Sequence, residues 1–220
     1  MRGGRIIIAV LLIVASLSAL CSCEVDREYD EREVIESAEA LLDKAKILNE
    51  IYYGKGIAWQ EESGNGIYKR ADGASLEKFG ISSIEELKTK TLEVFSDARC
   101  ATMFNTVLSS IKDDDVIVHY LRYYQQTNED GTSYIMVNSK YDYHMKGSME
   151  YLSGIRVTDV KGEIIVISVP VKLVSESGKV KNTEIEVEMI EESDGWRFAS
   201  PCEAVYNEST DIYDELNKNY

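Results

Sequence analysis

Residues 163–198 read EIIVISVPVKLVSESGKVKNTEIEVEMIEESDGWRF. Three strands and two turns are legible in this stretch. Residues 163–174 are apolar at successive positions, which predicts a central strand covered on both faces. Ser177-Gly178 marks a turn into residues 179–192. There Ile185, Val187 and Met189 alternate with Glu184, Glu186 and Glu188. A period of two places one face in a core and the other in water. Asp194-Gly195 turns once more into WRFASP, residues 196–201. Pro170 has no N–H to give to a ladder, so a bulge or a locally unpaired site is expected inside the central strand.

The same period extends upstream. SGIRVTDV (153–160) turns at Lys161-Gly162 into the central strand. VIVHYLRYYQQ (116–126) and SYIMVNSKYDYH (133–144) flank NEDG (128–131) and read as a hairpin. GNGIYKR (64–70) is a short extended piece after a Gly-Asn-Gly turn.

Before these strands the period is helical. In residues 33–53, Val34, Ala38, Leu41, Ala45, Leu48 and Tyr52 recur at steps of four and three, giving one inward stripe. Gly54 and Gly56 end that helix. A second helix is expected over SSIEELKTKTLEVFS (82–96), with Ser82/Glu85 or Ser83/Glu86 as a capping box. Ile84, Leu87, Thr91 and Val94 or Phe95 form its inner face. Asp97 is expected to cap a third helix, 98–111, with Ala101, Phe104, Leu108 and Ile111 inward. Helices first and an antiparallel meander after them define an α+β domain, its helices covering one face of the sheet. The polar tail, 207–220, reads as a short helix or a frayed end.

The N-terminus follows a different grammar. MRGGR carries Arg2 and Arg5 and precedes a predominantly apolar run of 15 residues, 6–20, short of the roughly 20 that a membrane-spanning helix needs. This is the pattern of an export signal. Leu20-Cys21-Ser22-Cys23 resembles a bacterial lipobox, with small Ser22 before the cysteine to be lipidated. The resemblance implies cleavage before Cys23 and its lipidation, and Cys21 fits poorly behind bulky Leu20. Ordinary secretion and an uncleaved short anchor are the alternatives. Residues 1–22 would then be a signal peptide and the charged stretch 23–32 a tether. The domain would occupy 33–206 and the polar tail 207–220. Several acyl chains are needed for firm attachment, because one chain holds a membrane only marginally.

Composition excludes some partners. The chain has net charge −15. Residues 1–22 contain two Arg and no acid, so their loss takes it to −17. Such a surface repels nucleic acid and anionic lipid, and suits solubility or a cationic partner. Fourteen tyrosines and only two prolines argue for a folded chain. Cys100 and Cys202 are either two buried thiols or one disulfide.

At the level of fold, the chain resembles the NTF2-like cone, N-terminal helices packed into a strongly curved antiparallel sheet. SSIEELKTKTLEVFS, VTDVKGEIIVISVPV and DGWRFASP carry the resemblance, which implies that Trp196 packs inward on the last strand. The layout also resembles the IseA family of DL-endopeptidase inhibitors, through GIYKR (66–70), Val94-Phe95-Ser96, Val169-Pro170 and Trp196. That resemblance implies binding to a cell-wall peptidase outside the membrane, and no inhibitory residues carry over from it.

Chemical signatures are few. The two histidines, His119 and His144, lie on different expected strands, and no CxxC pair offers a metal site. No catalytic residue, metal or cofactor is implied. Asp142 and His144 would share a strand face, as an acid–base pair or a surface pair. Tyr120 and Tyr124 are expected on one strand face, and Tyr141 and Tyr143 on one face of the next. Tyrosine combines a rigid apolar body with a polar tip, so these four are candidate binding residues. The expected function is a membrane-anchored binding protein with an envelope partner such as a cell-wall peptidase. The alternative is an enzyme or small-molecule binder working in the cone.

Overall fold

The computed structural model describes residues 29–64, 66–108, 111–113, 116–119, 121–143, 145–207 and 212–215, with 111–113, 116–119, 207 and 212–215 described in their backbone only. Cys23, Tyr120, His144 and most of the expected tether lie outside the described residues, and His119 is among those described in backbone only.

The architecture is α+β, with N-terminal helices against curled antiparallel sheets that form a half-barrel. Helix α1 spans Glu31–Tyr52, so it begins inside the expected tether. Asp30 starts it, its carboxylate accepting from the N–H groups of Arg32 and Glu33. The expected stripe is inward: Val34, Ala38, Leu41, Ala45, Leu48 and Tyr52 are all buried. Helix α2 (Gly73–Phe79) is short and ends on Gly80, whose φ of +62° suits a residue without a side chain.

Helix α3 spans Ile84–Leu92, capped by Ser83, whose Oγ accepts from Glu86 N at 3.0 Å. The Glu86 carboxylate reaches one residue further back and accepts from Ser82 N at 2.8 Å, so both serines take part. Leu87, Thr91, Val94 and Phe95 are buried as expected. Helix α4 spans Asp97–Val107, and its cap is Ser96 rather than Asp97. Its buried side is Arg99, Cys100, Met103 and Val107, one residue out of phase with the expected face; Ala101 is exposed.

Strands β1 (Tyr68–Arg70), β4 (Tyr123–Thr127) and β5 (Ser133–Asn138) form a sheet in the order β1-β5-β4. Strands β2 (Ile111–Asp113) and β3 (Val116–His119) form a separate antiparallel pair. The expected strand 116–126 is therefore two strands. The larger sheet contains β6 (Ser148–Tyr151), β7 (Arg156–Lys161), β8 (Ile164–Val174), β9 (Val180–Glu192) and β10 (Gly195–Phe198). Strand β8 lies in the middle, paired with β9 on one side and with β6 and then β7 on the other. Residues 165–169 of β8 are buried without a break. On the core face Ile165, Ile167 and Val169 stand opposite Met189, Val187 and Ile185. Each such buried side chain contributes roughly 1.5–3 kcal/mol, and a one-residue slip of β9 would put glutamates in its place.

Pro170 falls where its missing donor costs little. Its carbonyl accepts from Leu152 N at 2.8 Å, just past the end of β6. Residues 153–155 then stand against Val169 alone before β7 resumes at Arg156, opposite Ser168. The break in the neighbouring strand lies beside Pro170, on the side its N–H would have faced. The tail departs from expectation: β11 (Ala204–Asn207) and β12 (Ile212–Glu215) pair as antiparallel strands. Trp196 packs against the core but is half-buried, and Phe198, two residues on, is the fully buried member of β10.

Candidate functional site

The β1-β5-β4 sheet has two unlike faces. Register sets Tyr123 opposite Val137 and Gln125 opposite Ile135, so these four share the inner face. Tyr123, Ile135 and Val137 are buried there, and Gln125 Oε1 accepts from Ile84 N at the start of α3. The outer face carries Tyr124 opposite Met136, Gln126 opposite Tyr134, Tyr68 opposite Asn138 and Arg70 opposite Met136.

On that outer face Tyr68 meets Tyr124 edge-on, ring centroids 5.0 Å apart and planes at 83°. The Arg70 guanidinium lies 3.5 Å from the centre of the Tyr134 ring. Tyr68 Oη donates to Leu121 O at 3.1 Å, fixing one ring. The three tyrosines are half-buried, while Arg70 and Gln126 are exposed. Rigid rings with accessible edges, an arginine and an amide form a surface suited to contact with protein or glycan.

Of the four expected tyrosines, Tyr124 is on this face. Strand β5 ends at Asn138, so Tyr141 and Tyr143 follow it in an irregular segment and share no strand face. Tyr141 serves a different purpose. The Arg122 guanidinium lies 4.9 Å from the Tyr141 ring centre and 5.2 Å from that of Tyr123. Its Nη1 donates to Tyr52 O at 2.8 Å and its Nη2 to Gly54 O at 2.5 Å. Helix α1 has no basic residue in its last turn, so Arg122 brings the positive charge that its C-terminus favours. Tyr123 Oη completes the clamp, donating to Ile51 O at 2.9 Å and accepting from Ile57 N at 3.1 Å. Tyr143 lines a separate cleft of about 460 Å³ with Glu50, Lys55, Met145, Lys146 and Glu176. Asp142 is highly exposed and pairs with Lys146 at 3.3 Å.

Sequence reasoning missed Tyr68, Tyr134 and Arg70. One of the three was accessible: across the NEDG turn, Tyr134 has the parity that sets it on the same face as Tyr124 and Gln126. Tyr68 and Arg70 join through β1, a non-local pairing with no local mark.

The interior of the half-barrel is packed with Ile, Val, Leu, Phe and Met but also holds charge. Arg99 Nη2 donates to Glu203 Oε1 at 2.9 Å and to Tyr53 Oη at 3.2 Å. Glu203 Oε2 accepts from Cys202 N at 3.0 Å, and Tyr151 Oη donates to Cys202 O at 2.8 Å. Arg99 Nε and Asn49 Oδ1 have no partner. Cys100 and Cys202 are separate free thiols, and burial pushes each up to about 12. Burial likewise raises Tyr53 and Tyr151 above the usual phenol value. Among the described residues no three His, Cys, Asp or Glu side chains converge as metal ligands would. No helix among them is long and apolar enough to cross a membrane.

Comparison with family models, curated proteins and solved structures finds no match to this chain.

Proposed function

We propose that this chain is a membrane-anchored extracytoplasmic binding protein, attached by lipid on Cys23, whose partner is an envelope protein, in the first place a cell-wall hydrolase. The observation that carries this reading is the outer face of the β1-β5-β4 sheet, where Tyr68, Tyr124 and Tyr134 stay half-exposed beside Arg70. Such residues are favoured where protein surfaces meet. The N-terminal grammar, basic then apolar then Ser-Cys, supports the anchor. Helices against a curled antiparallel sheet support an NTF2-like fold, and with it the likeness to peptidase inhibitors.

A second reading, a small molecule handled inside the cone, draws on the unpartnered Arg99 Nε and Asn49 Oδ1 near Glu203 and Tyr53. It needs an entrance, whereas the side chains of Arg99 and Glu203 are 5% and 0% exposed. Affinity capture from an envelope extract tests the first reading. The full chain should enrich a peptidase and slow wall digestion, and a Tyr124→Ala/Tyr134→Ala variant should do neither. Wall-hydrolase activity unchanged by added chain would refute the inhibitory role.

A further inference from the structure

Helix α1 is apolar over a wider arc than the core uses. Lys44, Ile47, Leu48 and Ile51 follow at steps of three, one and three, and so line one edge of the helix. Leu48 and Ile51 are buried, but Ile47 is 45% exposed. Opposite them stand Phe79, at the end of α2, and Ile81, with Lys90 of α3 and Glu93 just past its end closing the groove. The hollow measures about 130 Å³. An apolar cavity of that order accommodates a small hydrocarbon group.

The charge around this groove runs against that of the molecule. Among the described residues Glu93 is the one carboxylate lining it, and Lys44 pairs with it at 3.3 Å; Glu86, one turn before Lys90, acts on that lysine from outside the groove. Lys90 lines the groove, and Lys78 Nζ lies 5.1 Å from the centre of the Phe79 ring. On a chain of net charge −15 this is a basic rim about an apolar hollow.

We propose that the groove docks an acidic amphipathic segment of a partner protein. One apolar side chain enters between Ile47 and the Phe79–Ile81 wall, and flanking carboxylates meet Lys78 and Lys90. This is the helix-in-groove mode, in which apolar anchors give affinity and rim charges give choice. An anionic membrane is the poorer occupant, because it presents its charge to the whole acidic molecule, whereas a single segment meets the groove alone and the rest of the surface is screened from it. The groove shares no residue with the tyrosine face, and its occupancy does not depend on that reading.

The test uses the full chain and two synthetic helical peptides with the same leucine stripe, one flanked by Glu and the other by Lys. By fluorescence anisotropy the acidic peptide should bind about tenfold more tightly, the scale expected of two rim contacts. Ile47→Glu should weaken it about tenfold or more, and Lys78→Glu/Lys90→Glu should reverse the preference. Ile47 is solvent-exposed, so these variants should fold; a thermal melt checks this, and the milder Ile47→Ser should weaken binding in the same direction. Equal binding of both peptides, or of neither, overturns the proposal. So does binding to phosphatidylcholine–phosphatidylglycerol vesicles that Ile47→Glu abolishes, which would make the occupant a membrane. A dimer in sedimentation that Ile47→Glu dissolves would make it a second copy, and overturns the proposal equally.

Discussion

Arg99 and Glu203 lie 104 residues apart in the chain and meet inside the core, Nη2 to Oε1 at 2.9 Å. The pair ties α4 to the segment just before β11. Removing one partner strands the other charge in an apolar interior. Arg99→Met or Glu203→Leu alone should therefore cost about 3–5 kcal/mol, whereas the double variant should regain much of that loss. Urea denaturation of the four proteins measures the coupling. Additive losses would mean that the two charges do not stabilise one another.

The turn after α1 tests a different kind of constraint. Gly56 has φ +71°, and a Cβ there would lie 2.0 Å from Tyr123 Oη and 2.4 Å from Arg122 Nη2. Gly66 has φ +63° with open space around it. Gly66→Ala should cost roughly 1–2 kcal/mol, the left-handed backbone alone. Gly56→Ala should lose roughly 1–3 kcal/mol more, because the clamp on the helix end must move. Equal midpoints in denaturant would show that the clamp yields freely.

The buried thiols make alkaline stability measurable. Both folded values, about 12, exceed the ordinary thiol value of 9.0. Above pH 9 the unfolded chain has lost protons that the folded chain keeps, so stability falls as pH rises. Each thiol contributes a slope approaching about 1.4 kcal/mol per pH unit between 9 and 12, and none below 9. The buried phenols Tyr52, Tyr53, Tyr123 and Tyr151 are raised for the same reason and steepen the fall above pH 10. Cys100 and Cys202 should react with a thiol reagent at pH 8 only after unfolding. Rapid labelling of the native protein would contradict their burial.

Lipidation is tested by metabolic labelling with a fatty-acid analogue. Label should vanish in Cys23→Ala and persist in Cys21→Ala. The reverse result would move the modification to Cys21.

Legibility in the sequence followed locality. Strand β9 was readable because glutamates alternate with Ile, Val and Met, which leaves a single register. Helix α1 was readable for the same reason at the helical period. Helix α4 was not, because two apolar ladders compete, 100/103/107 and 101/104/108. Arg99 decides between them by turning inward to Glu203, a partner distant in sequence. The tail reads as a short helix or a frayed end because its pairing, β11 with β12, leaves no strong alternation. The tyrosine face was half legible: parity across one hairpin places Tyr124 and Tyr134 together, and only the addition of β1 supplies Tyr68 and Arg70.

The gap beside Pro170 has a consequence for how these molecules behave in a crowd. Among the described residues β6 and β7 pair only with β8, so they form an outer margin of the sheet. An unbroken margin is a template on which a foreign strand can add, and repeated addition builds fibrils. Here residues 152–155 interrupt the row of free N–H and C=O groups midway. The rim beside Pro170 thus offers a foreign strand two short stretches instead of one long one.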